Sequence, residues 1–270
     1  MEMLLSFWDY TFMRQALLAV LLIMPLFSIL GTMVVNNSMS FFSDALGHSA
    51  LTGVGLGVIL GMSDYQLPMI VFAVIFALCM NRVRHSRVAG TDTVIGVFSA
   101  CGVALGLVLL SRGGSFQNYQ SLLIGDILNI TAGQLWILGA ALVAIVLLWV
   151  ICFNRFLAVS ISPTLAKTHG IAVKLYDNLF VVIVAIVVMV AIRLVGLLII
   201  NAMLVLPAAA ARNVARSMKS YHALTLIFGV FAGVLGLLLS FYNAVATGPM
   251  IVLCAAAVFF GTLIISGKTK

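Results

Sequence analysis

Nine times along this chain the sequence holds a run of mostly apolar residues, at 12–35, 44–61, 67–81, 91–110, 132–153, 178–193, 196–211, 223–241 and 248–266. Each comes close to the ~20 residues that a lipid-crossing helix needs at about 1.5 Å rise per residue. Lipid offers a backbone no hydrogen-bond partner, so each run is expected to be helical. The fold class that follows is all-α, a polytopic membrane bundle of eight or nine transmembrane helices. The number turns on 178–211, which is too long for one crossing and short for two; Arg193 and Gly196 mark the expected break. Composition closes the alternative: 64% of residues are hydrophobic and 8% charged, where a soluble globular chain carries roughly 25% charged. A soluble enzyme, a nucleic-acid-binding domain and a secreted disulfide scaffold are excluded on that ground. The chain reads as one transmembrane domain over 1–270 in the plasma or inner membrane. Its first run, preceded by Glu2 and Asp9 and without a small-residue cleavage site, reads as a retained anchor.

The net charge of +7 would suggest nucleic acid on a soluble protein; here its placement sets orientation instead. Arg82, Arg84, Arg87, Arg155, Lys167, Lys174, Arg212, Arg216, Lys219, Lys268 and Lys270 fall on one side of a nine-span map. Arg14 and Arg112 fall on the other side, with Arg193 near it. Basic residues collect in cytoplasmic loops, so the N-terminus is expected outside. The longest loops on this map are 111–131 and 154–177, too short for a soluble catalytic domain. Cys79, Cys101, Cys152 and Cys254 lie inside apolar runs without a C-x-x-C pair, and read as small buried side chains.

Glycines at Gly53, Gly57 and Gly61 repeat every fourth residue of the second run, and Gly102/Gly106 and Gly229/Gly233 repeat the spacing elsewhere. Small residues so spaced let helix backbones approach where no hydrophobic effect drives association. About opposite that ladder stand Asp44 and His48. At i, i+4 they project from one helix face, and an ionisable group inside a span is costly enough to be a functional candidate. A carboxylate with an imidazole suits a borderline divalent cation such as zinc, manganese or iron. Two ligands cannot close a site alone, so a second copy of the helix or other groups must complete it. The competing readings are a helix N-cap for Asp44 and a carbonyl-bonded core histidine for His48. His85, His169 and His222 read as solvated loop residues, Arg193 as a side chain snorkelling to the outer interface, and Asp126 as the cap of a short outer helix.

Two look-alikes are set aside. Gly261 to Gly267-Lys268-Thr269 has five residues between its glycines where a phosphate-binding loop needs four, and Gly53-Val54-Gly55-Leu56-Gly57 lacks the third glycine of a dinucleotide loop. No resident cofactor is expected, and any ATPase that drives this chain is a separate polypeptide.

The stretches 10–17, 39–51, 165–171, 195–211 and 247–253 resemble the metal-ion permease family of ABC importers across nearly the whole chain. The specific parts are Asp44-Ala45-Leu46-Gly47-His48 together with Val195-Gly196 and the later Leu206-Pro207-Ala208-Ala209-Ala210-Ala211. The resemblance implies a membrane subunit importing a divalent transition metal, zinc ahead of manganese, with Asp44 and His48 coordinating the ion in transit. It also implies a second permease subunit in a homodimer, two cytoplasmic ABC ATPases and an extracytoplasmic metal-binding protein. Two departures stand out: Asn36-Asn37 where relatives commonly have Arg, and Ala246 where they commonly have Pro. Two basic segments are candidates for short helices docking on the ATPase, one running from Pro163 to Gly170 and one from Arg212 to His222, with Arg216 and Lys219 between. A stand-alone secondary carrier or channel for metal ions is the alternative.

Overall fold

The structure, a computed structural model, describes residues 10–62, 64–86, 89–112 and 127–267. Glu2, Asp9, Arg87, Asp126, Lys268, Thr269, Lys270 and most of the 111–131 loop lie outside them. The described chain runs α1 (Thr11–Asn36), α2 (Phe42–Ile59), α3 (Gln66–His85), α4 (Thr91–Arg112), a 3-10 turn (Ile127–Asn129), α5 (Ala132–Ile161), α6 (Pro163–Thr168), α7 (Val173–Val195), α8 (Leu197–Val214), α9 (Met218–Asn243) and α10 (Thr247–Gly267). Every apolar run of the sequence is a helix. Eight of these helices are long and apolar enough to cross a membrane. The other long helix is α2, whose hydropathy is diluted by Asp44, His48 and four glycines. Nearly all of α2 up to Gly57 is buried in protein, so it does not need an apolar surface all round.

The 178–211 ambiguity resolves into two helices. Gly196 breaks them with φ +80°, a left-handed value that a side chain would strain. The basic 154–177 segment is not a loop: α5 continues through Arg155 to Ile161, and α6 and the start of α7 take up most of the remainder.

The chain divides into two compact units. The first, 1–35, 124–146 and 194–270, holds α1, the first half of α5, and α8–α10. Close backbone approach holds it together. A Cβ at Gly31 would strike the Leu204 carbonyl oxygen, and one at Gly236 would lie 2.5 Å from the Ile251 Cα. Gly229 and Gly233 face Ser28 and Val20 of α1. Ser28 Oγ donates to the Thr225 carbonyl at 3.2 Å and the Tyr221 hydroxyl to that of Thr32 at 3.3 Å, which satisfies polar groups that lipid could not.

The second unit, 36–123 and 147–193, holds α2–α4, α6, α7 and the end of α5. Here α2 is wedged between α3 and α4. Gly53 and Gly57 lie against Met69 and Tyr65/Pro68, while Gly102 and Gly106 of α4 lie against Ser49 and Leu51. Thr52 Oγ1 donates to the Gly102 carbonyl at 2.6 Å. Gly61 is a correction to the ladder. It has no atom within 4 Å of where its Cβ would stand, and its φ of +66° serves the turn after α2. The two glycines therefore separate by experiment. Gly53→Ala would put a methyl 2.5 Å from the Met69 Cα and should destabilise by about 1–3 kcal/mol through overpacking. Gly61→Ala should cost about 1–2 kcal/mol through the left-handed backbone alone, and Gly61→Asn distinctly less. Thermal unfolding of the detergent-solubilised chain reads all three.

Within this unit α3 and α7 run antiparallel, joined at one end through Arg84 and Asp177 and at the other through Asp64 and Arg193. Arg84, Arg155 and Lys174 thereby share an end, with Arg155 donating to the Tyr176 hydroxyl. Arg193 lies at the opposite end, the segregation expected of cytoplasmic and outer faces.

Candidate metal centre

Asp44 is the third residue of α2, and Phe41 holds the cap position without a side-chain hydrogen bond. Asp44 is thus not the N-cap, although its charge sits in the first turn where the helix dipole favours it. One turn on, His48 Nε2 lies 3.5 Å from Asp44 Oδ2. From Phe42 to Gly55 every residue of α2 is buried except these two, whose side chains remain 31% (His48) and 39% (Asp44) exposed. The packing explains this. Glycine, serine and small apolar residues are spent on contacts with α3 and α4, and the remaining stripe carries the acid and the imidazole.

Two ligands at about 2.1 Å from a tetrahedral cation stand about 3.4 Å apart. The observed separation therefore serves a shared cation as readily as an ion pair. Among the described residues no group of three or more His, Cys, Asp or Glu gathers. A closed shell must draw on groups beyond this pair.

Elsewhere several sequence expectations change. Of the cysteines only Cys254 is buried; Cys79 and Cys101 are exposed and Cys152 is intermediate, because the outward faces of membrane helices are as apolar as their cores. Arg193 does not snorkel alone: it pairs with Asp64 at 3.1 Å and donates to Gln66 Oε1 at 3.2 Å. His222 has its ring nitrogens buried and stacks on Tyr221 rather than being solvated. His85 is not free of carboxylates, since its Nε2 lies 3.5 Å from Asp177 Oδ2. Asp177 belongs to a network that spacing did not reveal. It accepts from Arg84 Nη2 at 3.1 and 3.2 Å and from Asn81 Nδ2 at 2.7 Å. With its charge matched by Arg84, it is unsuited to a cation. The one available signal was an acid standing alone in a basic segment.

The two docking candidates also part. Pro163 opens a separate helix, α6, whose N-cap Ser162 accepts from the Leu165 amide and which ends just before Gly170. All of α6 except Ala166 is exposed, Leu165 by 61%. The other segment forms no helix of its own. Arg212 lies in the last turn of α8, Arg216 in the short connection and Lys219 in the first turn of α9, all three exposed.

Apolar helices in this number, with an acid–imidazole pair on a helix largely sheltered by protein, define a multi-pass transport protein of the cell membrane. The chain belongs to the ABC 3 transport family, whose model matches residues 9–266, and is the permease component of an ABC importer. It is 30% identical over 269 residues to the manganese import system permease protein ScaB of Streptococcus gordonii, covering 100% of this chain and 96% of that one. It is 31% identical over 234 residues to the high-affinity zinc uptake system membrane protein ZnuB of Haemophilus influenzae, covering 85% of this chain and 88% of that one. Among solved structures it is similar to PsaBC from Streptococcus pneumoniae in complex with Fab, with a TM-score of 0.83 and 33% identity over 97% of this chain and 94% of that one.

Proposed function

We propose that the chain imports a divalent transition metal ion as one half of a permease homodimer. Two cytoplasmic ATPase subunits drive it and an extracytoplasmic metal-binding protein delivers the ion. Asp44 and His48 hold the ion in transit, with the same pair from the second copy, or water, completing the shell. The observation that carries this reading is the selective opening of α2, buried from Phe42 to Gly55 except at an acid and an imidazole spaced for one cation. Such a pair accepts zinc and manganese alike, and the relatives carry names of both kinds. ATP binding and hydrolysis in the partner shift the pair of subunits between states that differ in metal affinity, which is what moves the ion.

Vesicles test this directly. Those holding the permease with its ATPase should take up metal only with ATP and the binding protein present, and competing metals set the order of preference. Vesicles holding the permease alone should carry none. ATP-independent flux through the chain alone would overturn the reading in favour of a carrier.

A further inference from the structure

The connection between α1 and α2 is tied to the end of α5. Asn36 Nδ2 donates to Ser160 Oγ, and Ser160 Oγ in turn donates to Asn37 Oδ1. One hydroxyl thus serves two consecutive asparagines. The connection it grips is tight: Ser38 is held at φ +55°, the Phe42 amide donates to the Met39 carbonyl at 2.9 Å, and Met39 and Phe42 are fully buried. A displacement of Asn37 therefore passes into the first turn of α2, where Asp44 stands.

The other side of the tie is equally stiff. Ser160 lies two residues before Ser162, the cap of α6. Ala166, on the one buried position of α6, packs between Val159 of α5 and Val173 of α7, and the Ile171 amide donates back to the Ala166 carbonyl at 3.0 Å. The end of α5, α6 and the start of α7 form an elbow whose outer surface is exposed. All of these residues lie within one compact unit.

We propose that Asn36, Asn37 and Ser160 form a coupling clamp, which carries movement of the α6 elbow into α2 and so to Asp44 and His48. These are positioning residues that touch no metal. The inference rests on the proposed function above, with α6 as a surface on which the ATPase acts.

Ser160→Ala and the double change Asn36→Ala/Asn37→Ala test it in the complete transporter in vesicles, with zinc or manganese uptake and ATP hydrolysis measured on the same assembled complexes. Uptake per ATP should fall about fivefold, the scale of one or two lost part-buried hydrogen bonds, while hydrolysis stays close to wild type. Ser160→Thr, which keeps the hydroxyl, should hold the wild-type ratio. A purely structural role would lower uptake and hydrolysis together, and that result overturns the clamp. An unchanged ratio in both alanine variants overturns it too, as does a threonine variant as uncoupled as the alanine one. Wild-type vesicles that show no ATP-driven metal uptake would instead overturn the underlying function, and the clamp with it.

Discussion

Alanine at Asp44 or at His48 should drop metal uptake to background while the permease still assembles with its ATPase. Each change removes one of the two ligands proposed for each subunit. Loss of a group merely supporting a ligand costs roughly 10–100-fold in metal affinity or activity, so loss of the ligand itself should exceed that range. Stability should barely move. Both side chains are about a third exposed, and pairs open to solvent contribute about 0–1 kcal/mol. The double variant should be no worse in uptake than either single one, because residues acting as a unit are not additive. Uptake measured beside the yield of assembled complex separates the effects. Wild-type uptake in both single variants would refute the site.

Removal of the Asp177 carboxylate has the opposite signature. Arg84 and Asp177 are only 11% and 10% exposed, and Arg84 Nε already lacks a hydrogen-bond partner. Asp177→Ala leaves the guanidinium uncompensated in buried surroundings, a change that costs about 3–5 kcal/mol. The Arg84→Met/Asp177→Ala double variant should recover much of that, since no charge is then stranded. The outer pair is the control. Asp64 and Arg193 are 69% and 40% exposed, and Asp64→Ala should cost at most about 1 kcal/mol. Thermal unfolding in detergent ranks the three, and Asp177→Ala no less stable than Asp64→Ala would contradict the assignment.

The helical plan was legible because the bilayer imposes both the length and the apolarity of each crossing. Every run from 12–35 to 248–266 became a helix, and Gly196 marked the break in the one doubtful stretch. Asp44 and His48 were legible because i, i+4 spacing holds on any helix. The helical phase also put Gly53 and Gly57 about opposite that pair. What escaped were contacts between residues distant in sequence. Asp177 with Asn81, and Ser160 with Asn36 and Asn37, join separate helices, and no local periodicity encodes such partners. Gly61 and the cysteines misled for a different reason. Spacing and apolar neighbours specify a position along a helix and not which surface, protein or lipid, that position meets.

The central claim is that α2 offers its acid and imidazole to the transported ion. X-ray absorption on the purified transporter loaded with zinc or manganese reads the ion's own ligands. The account predicts a shell of oxygen and imidazole nitrogen in which the nitrogen disappears with His48→Ala. An ion bound without imidazole, or a shell that His48→Ala leaves untouched, would contradict it.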